Sequence, residues 1–373
     1  MSELRTPYFL VDENKLVENL KILRSVMDDT GCKILLAQKA FSMYYAYPLI
    51  SSYLCGSTAS GLYEARLGHE KFGGETHVFS PAYREDEFDE ILKYADHIVF
   101  NSVNQVNKFA NAARSAGKSV GLRVNPECST QEGHAIYDPC APGSRLGCTL
   151  DNFNEDILPQ LDGLHFHTLC EQNSDDLEAT AAVFEQKFGK YLYDMKWVNF
   201  GGGHHITRKD YDIDRLKKVI VHFKEKYGVE VYLEPGEAVV LNAGYLYTRV
   251  LEIVHNGMDI AVLDSSAACH MPDVIEMPYT PPLTGAGKPG EKKYDYRLGG
   301  PTCLAGDVIG DYSFDSELHE GDTLVFEDMA LYTMVKTNTF NGMALPAIAY
   351  RKADGEVAVV KEFGYEEFFR RLS

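Results

Sequence analysis

The chain has 373 residues, with 36 basic against 55 acidic side chains and a formal net charge of −19. That length exceeds one ordinary core, so two units are expected, and the charge argues against nucleic acid or an anionic membrane as a partner, since both require basic patches. The 8 cysteines form no Cys-x-x-Cys pair, no apolar run is long enough to span a bilayer, and the opening residues lack a signal-peptide core, so a cytoplasmic protein with free thiols is expected.

In chain order, residues 7–11 read as a strand and Asp12 as the cap of a helix. Leu16, Leu20, Leu23 and Met27 recur on one face of that helix, which ends at the Thr30-Gly31 break. Short apolar runs follow at 34–37, 54–58, 77–80, 97–101, 120–125, 164–168, 198–201 and 231–234. Helical stretches separate most of them, among them 83–94, 103–116 and the face made by Leu177, Ala181, Phe184 and Phe188. Strand alternating with helix means parallel strands with helical crossovers, and eight such units predict a closed (β/α)8 barrel over residues 13–241 rather than an open sheet.

After Glu237 the texture changes. Residues 245–254 and 259–264 flank His255-Asn256-Gly257-Met258, a hairpin signal. Further strand-like runs at 295–298, 323–327 and 357–361 predict a β domain over 242–373, which the segment 1–12 joins. The Pro- and Gly-rich stretch 277–291 is expected to be a mobile loop.

In such a barrel chemistry belongs at the C-terminal ends of the strands. Lys39, Arg123, Asn125, His165, His167, Gly201 to Gly203 and Glu234 all fall there. Lys39 is either a solvated strand end or an amine poised for covalent chemistry. Three glycines leaving a strand ahead of a helix let backbone amides approach a phosphate, although alone they are as often a flexible turn. Glu234 is either a solvent-facing strand end or a carboxylate that holds a pyridine nitrogen protonated. His165 and His167 are a zinc-ligating pair on one strand face, a ring that stacks on a planar cofactor, or two core histidines. Only His204 and His205 lie nearby to complete a metal set, so no metal is expected. Taken together, lysine, histidine, glycines and carboxylate predict a pyridoxal 5′-phosphate site.

With these residues in place, the chain resembles the pyridoxal-phosphate decarboxylases of the alanine racemase-like fold, the family that contains the ornithine and diaminopimelate enzymes. The resemblance implies that Lys39 carries the cofactor covalently, that His167 stacks on it, that Gly201, Gly202 and Gly203 hold its phosphate, and that Glu234 pairs with its ring nitrogen. Gly300-Pro-Thr-Cys-Leu-Ala-Gly-Asp is similar to the family's Gly-Pro-x-Cys motif. It implies a homodimer with shared active sites, in which Cys303 reaches the partner's site as proton donor, with Asp307 beside it. The segment 327–333 is similar to the family's tyrosine segment and implies that Tyr332 lies close to the cofactor.

Ornithine- and diaminopimelate-type members usually carry Arg after Glu-Pro-Gly; here the residue is Glu237. Together with 166–171 and 269–273, this Glu-Pro-Gly-Glu resembles the branch that decarboxylates carboxynorspermidine or carboxyspermidine, small α-amino acids with a polyamine tail. A cationic tail needs carboxylates along the site. By the resemblance these are Glu237 and Asp273, then Asp307 and Asp264. A decarboxylase of diaminopimelate or ornithine, a racemase, and a non-catalytic binding relative are the alternatives on the same fold.

Overall fold

The computed structural model describes residues 4–131 and 135–373. The chain divides into two compact units, Met1–Glu18 with Val240–Ser373, and Asn19–Val239. Strand β1 (Tyr8–Asp12) leads directly into the helix Glu13–Thr30, within which the division between the units falls. Asp12 Oδ1 accepts from the amides of Asn14 and Lys15 at 3.0 and 3.3 Å, which caps the helix.

The second unit is a barrel. Strands β2 (Lys33–Ala37), β3 (Gly56–Ala59), β4 (Glu75–Phe79), β5 (His97–Phe100), β6 (Ser119–Arg123), β7 (Gly163–His165), β8 (Trp197–Asn199) and β9 (Glu230–Leu233) pair in parallel in that order. Lys33 opposite Tyr232 and Ile34 opposite Leu233 close the ring. Each strand is an almost fully buried run because helices cover its outer face. In the helix Val103–Ser115, Ser102 accepts from the Gln105 amide, and Val106, Phe109, Ala110 and Ala113 form the buried stripe. The helix Ile213–Tyr227 starts at the Asp212 cap and ends on Gly228 in the left-handed region, φ 69°.

The barrel interior is packed around Trp197, with Leu35, Val99 and Tyr232. The indole is admitted by glycines on two neighbouring strands: a Cβ on Gly163 would sit 2.1 Å from it, and one on Gly121 2.3 Å. At the N-terminal ends of the strands, Glu75 binds Lys33 Nζ at 2.6 Å and accepts from Tyr232 Oη at 2.9 Å.

The first unit is a sheet in the order β13-β12-β11-β10-β1-β15-β16, with β14 also on β10; these strands are β10 (Gly244–His255), β11 (Asp259–Leu263), β12 (Tyr294–Gly299), β13 (Val308–Phe314), β14 (Thr323–Glu327), β15 (Ala347–Arg351) and β16 (Val357–Lys361). The Asn256-Gly257 turn joins β10 to β11, antiparallel, with Gly257 at φ 71°. The residues from 277 to 291 depart from expectation. Tyr312 Oη donates to Pro281 O at 2.7 Å, Leu283 bridges to Phe326 and Gly287 to Ser313, so the stretch is pinned along the sheet rather than loose. No helix among the described residues is long and apolar enough to cross a membrane.

Candidate active site

Lys39 follows β2 by two residues, in the turn closed by the Ala40 amide on Ala37 O. Its side chain reaches solvent from a recess dense with protein. Crowding by the surrounding protein, and then the charge of Arg123, lower its pKa from 10.5, which favours the neutral, nucleophilic amine. Arg123, at the end of β6, is buried; it donates to His167 O at 3.3 Å and lies 4.7 Å from the centre of the Phe79 ring.

Glu234, just past β9, is 7% exposed and well supported. Asn199 Nδ2 donates to its Oε1 at 2.9 Å, and His165 Nε2 lies 3.4 Å from its Oε2. Burial pushes this carboxyl up, but the neighbouring His165, and then the Asn199 hydrogen bond, more than offset it and hold the group at about 2. His165 itself is held below 6.5 by burial. Glu234 is therefore a carboxylate at neutral pH.

Strand β7 stops at His165, so His167 lies beyond it in the loop, and the two rings are 6.5 Å apart. They do not form the same-face strand pair that zinc ligation would use. The Gly202 amide donates to His167 Nδ1 at 3.0 Å, which places the ring hydrogen on Nε2. Burial, then the charge of Lys39, lowers its pKa well below 6.5, so it is a neutral flat ring in a fixed orientation.

The glycine loop is held more tightly than its sequence suggests. A Cβ on Gly201 would lie 2.7 Å from His167 Cβ, one on Gly202 2.6 Å from Glu234 O, and one on Gly203 2.1 Å from Leu169 O. The Gly201 amide donates to Asn199 Oδ1 at 2.8 Å and the Gly202 amide to His167. Gly201 and Gly202 therefore orient the carboxylate and the ring, a correction to the expectation that all three amides face a phosphate. Gly203 is the partly exposed one of the three. Asn199, for which no role was expected, links this loop to Glu234; the only signal was its position at the strand end, directly before the glycines.

Glu237 opens a short helical turn after Gly236. His205 Nε2 lies 3.1 Å from its Oε1, and Glu171 converges on the same pair. The Arg208 guanidinium lies 3.3 Å from His205 Nδ1 and can only donate. The rim thus gathers two carboxylates around one imidazole, a setting for a cation. The other close set of ligand-type side chains among the described residues, Glu75, His77 and His97, already holds the Lys33 ammonium. Neither set includes the His165 and His167 pair.

In the sheet unit, Cys303 is the exposed thiol among the eight cysteines, and its amide donates to Asn341 Oδ1 at 2.7 Å. Tyr332 is partly buried in the left-handed region, φ 53°. Asp273 is paired with Lys336. Asp264 and Asp307 are each engaged by donors of their own unit and are not carried forward as tail contacts. Asp264 accepts from Thr6 Oγ1, Thr248 Oγ1 and the Arg249 amide at 2.6 to 2.8 Å. Asp307, 4% exposed, accepts from Ser266 Oγ, the Ala268 amide and Thr302 Oγ1.

A pyridoxal cofactor asks for a reactive amine, a charged partner for its ring nitrogen, a flat neutral neighbour and an amide for its phosphate. Lys39, Glu234, His167 and Gly203 fit those four demands in one unit. A family model described as the C-terminal sheet domain of pyridoxal-dependent decarboxylases matches residues 25–330, which sets the class. Relatives narrow it. Over 380 residues the chain is 44% identical to the carboxynorspermidine/carboxyspermidine decarboxylase of Campylobacter jejuni, covering 99% of each. It is 40% identical to the carboxyaminopropylagmatine decarboxylase of Synechocystis, covering 100% of this chain and 96% of that one. The crystal structure of the Campylobacter jejuni carboxynorspermidine decarboxylase complexed with norspermidine matches with a TM-score of 0.92 at 43% identity, over 99% of this chain and 100% of that one. The chain belongs to the pyridoxal-dependent decarboxylases, in the group of the carboxynorspermidine/carboxyspermidine enzymes.

Proposed function

We propose that this protein decarboxylates carboxynorspermidine and/or carboxyspermidine to norspermidine or spermidine and carbon dioxide in polyamine biosynthesis, with pyridoxal 5′-phosphate as cofactor, as a cytoplasmic homodimer. The observation that carries the substrate class is the 44% identity over essentially the whole of both chains, barrel and sheet alike. The residue at position 237 agrees with it: a glutamate at the rim, beside Glu171, suits a tail of ammonium groups and does not suit the distal carboxylate of diaminopimelate.

When bound, the cofactor supplies an aldehyde that joins amines and a ring that accepts the electron pair left by the departing carboxylate. In this reading Lys39, whose surroundings shift it toward the neutral form, is the amine that anchors the cofactor and later returns to release the product. Glu234 keeps a proton on the ring nitrogen, His165 and Asn199 hold Glu234 ionised, and His167 offers its neutral face. Gly203 donates to the phosphate, and Tyr332 lies near it. Glu237 and Asp273 take the cationic tail, Asp273 exchanging Lys336 for substrate ammonium. The partner subunit's Cys303 donates the proton to Cα and regains one from solvent.

A second reading rests on the Synechocystis relative: a guanidinium tail would find the same carboxylates acceptable. Carbon dioxide release from carboxynorspermidine, carboxyspermidine, carboxyaminopropylagmatine, diaminopimelate and ornithine decides between them. The two triamine substrates differ by one methylene, so their kcat/KM values should lie within about 200-fold of each other. Faster release from diaminopimelate or ornithine than from both would overturn the proposal.

A further inference from the structure

The residues that hold the Cys303 loop form a closed ring of contacts within the sheet unit. Asp307 ties the loop from inside: its Oδ2 accepts from Thr302 Oγ1 at 2.6 Å, and its backbone carbonyl accepts from the Gly300 amide at 2.9 Å. The same carboxylate holds Ser266 and the Ala268 amide at the start of the turn Ala267–His270. That turn carries the next link. Asn338 Nδ2 donates to Ala268 O at 2.8 Å, and the Asn338 amide donates to Cys269 O at 3.0 Å. Asn338 Oδ1 then accepts from the Phe340 amide at 3.0 Å, which delivers Asn341 to the loop. Asn341 sits in the left-handed region, φ 55° and ψ 18°, and its Oδ1 accepts the Cys303 amide at 2.7 Å. Asparagine is among the few residues with a side chain that adopt that backbone readily, and its short carbonyl is what reaches Cys303. Gly342, also left-handed at φ 73°, follows at once.

Resting on the reading of Cys303 as proton donor, we propose that Asn341 is the positioning residue for that thiol: it fixes the Cys303 backbone so that the proton is delivered to the substrate's Cα and not elsewhere. Asp307 closes the ring behind it, which is a role for that carboxylate distinct from binding the substrate tail. Loss of the Asn341 carbonyl frees the Cys303 amide, the loop samples other orientations, and part of the proton flux goes to the cofactor's carbon instead. Water then releases the tail as an aldehyde, and the substrate nitrogen stays on the cofactor as an amine.

Two variants separate the backbone from the hydrogen bond. Asn341→Gly keeps the left-handed conformation and loses the acceptor, whereas Asn341→Asp keeps both. In the dimeric holoenzyme, Asn341→Gly should lower kcat about two- to tenfold, the range of one hydrogen bond, with KM nearly unchanged and a raised fraction of aldehyde and aminated cofactor. Asn341→Asp should restore the wild-type product ratio. On cofactor-free protein, the rate of Cys303 alkylation by iodoacetamide, read by peptide mass, should change at least twofold in Asn341→Gly and stay at the wild-type value in Asn341→Asp. If Cys303→Ala raises the misdirected fraction and Asn341→Gly leaves both that fraction and the alkylation rate at wild-type values, the positioning role is overturned. If Cys303→Ala itself leaves the fraction unchanged, the proton-donor reading fails, and this inference with it.

Discussion

Replacing Glu234 by glutamine keeps the shape of the side chain and removes its charge, and the structure says what that charge is worth. In the folded chain burial opposes ionisation, but His165 overcomes it and the carboxyl sits at about 2 against an ordinary 4.5. At about 1.4 kcal/mol for each pH unit, that drop contributes roughly 3 kcal/mol to the stability of the barrel. The unfolded chain binds the proton more readily than the folded one. The contribution is therefore complete above about pH 4.5 and is lost as the pH falls through 2, with about 2 kcal/mol gone by pH 3. Urea unfolding of cofactor-free wild type and Glu234→Gln, at steps from pH 6 to pH 3, isolates this contribution as the change in the difference between them. Wild type should lose about 2 kcal/mol relative to the variant over that interval. A difference that stays constant with pH would refute the argument that His165 and Asn199 hold an ionised carboxylate. In the loaded enzyme a neutral amide cannot hold the ring proton, and kcat should fall about a hundredfold or more.

Gly203→Ala puts a Cβ 2.1 Å from the Leu169 carbonyl oxygen at a residue with φ 82°. The left-handed backbone alone costs about 1–2 kcal/mol, so the variant should melt several degrees lower and bind cofactor more weakly by titration; unchanged melting and binding would contradict the loop geometry. If active sites are shared across a homodimer, Lys39→Ala and Cys303→Ala should each be nearly inactive alone. Mixed in equal amounts after subunit exchange, they should recover about a quarter of wild-type activity, because half the dimers are hybrids with one intact site of two. No recovery would tell against shared sites.

The barrel was legible because most of its strands lie in short apolar runs and its helices carry a clear stripe, as in the helix Val103–Ser115. The sheet was less so. Strand β13 is interrupted by Gly310-Asp311 and β15 starts straight after Pro346 with small alanines, so neither stands out as a β-rich run. At the site, residue types announced the amine, the ring and the carboxylate, but not which partners each would find. Asn199 carries no charge and belongs to no pattern, yet it holds both Glu234 and the Gly201 amide. Asp264 and Asp307 read as negative charge for a cationic tail; three donors on the first and four on the second turn them into internal anchors, which is a fact of tertiary packing. The triple glycine pointed to a phosphate, but the approach of His167, the Glu234 carbonyl and Leu169 explains why all three positions must lack a side chain whatever they bind.

The central claim is that one amine, on Lys39, carries the cofactor. Borohydride reduction of the loaded protein followed by peptide mapping tests it most directly. The reduced pyridoxyl group should be found on Lys39 and on no other lysine; a label at another position, or none at all, would contradict the account.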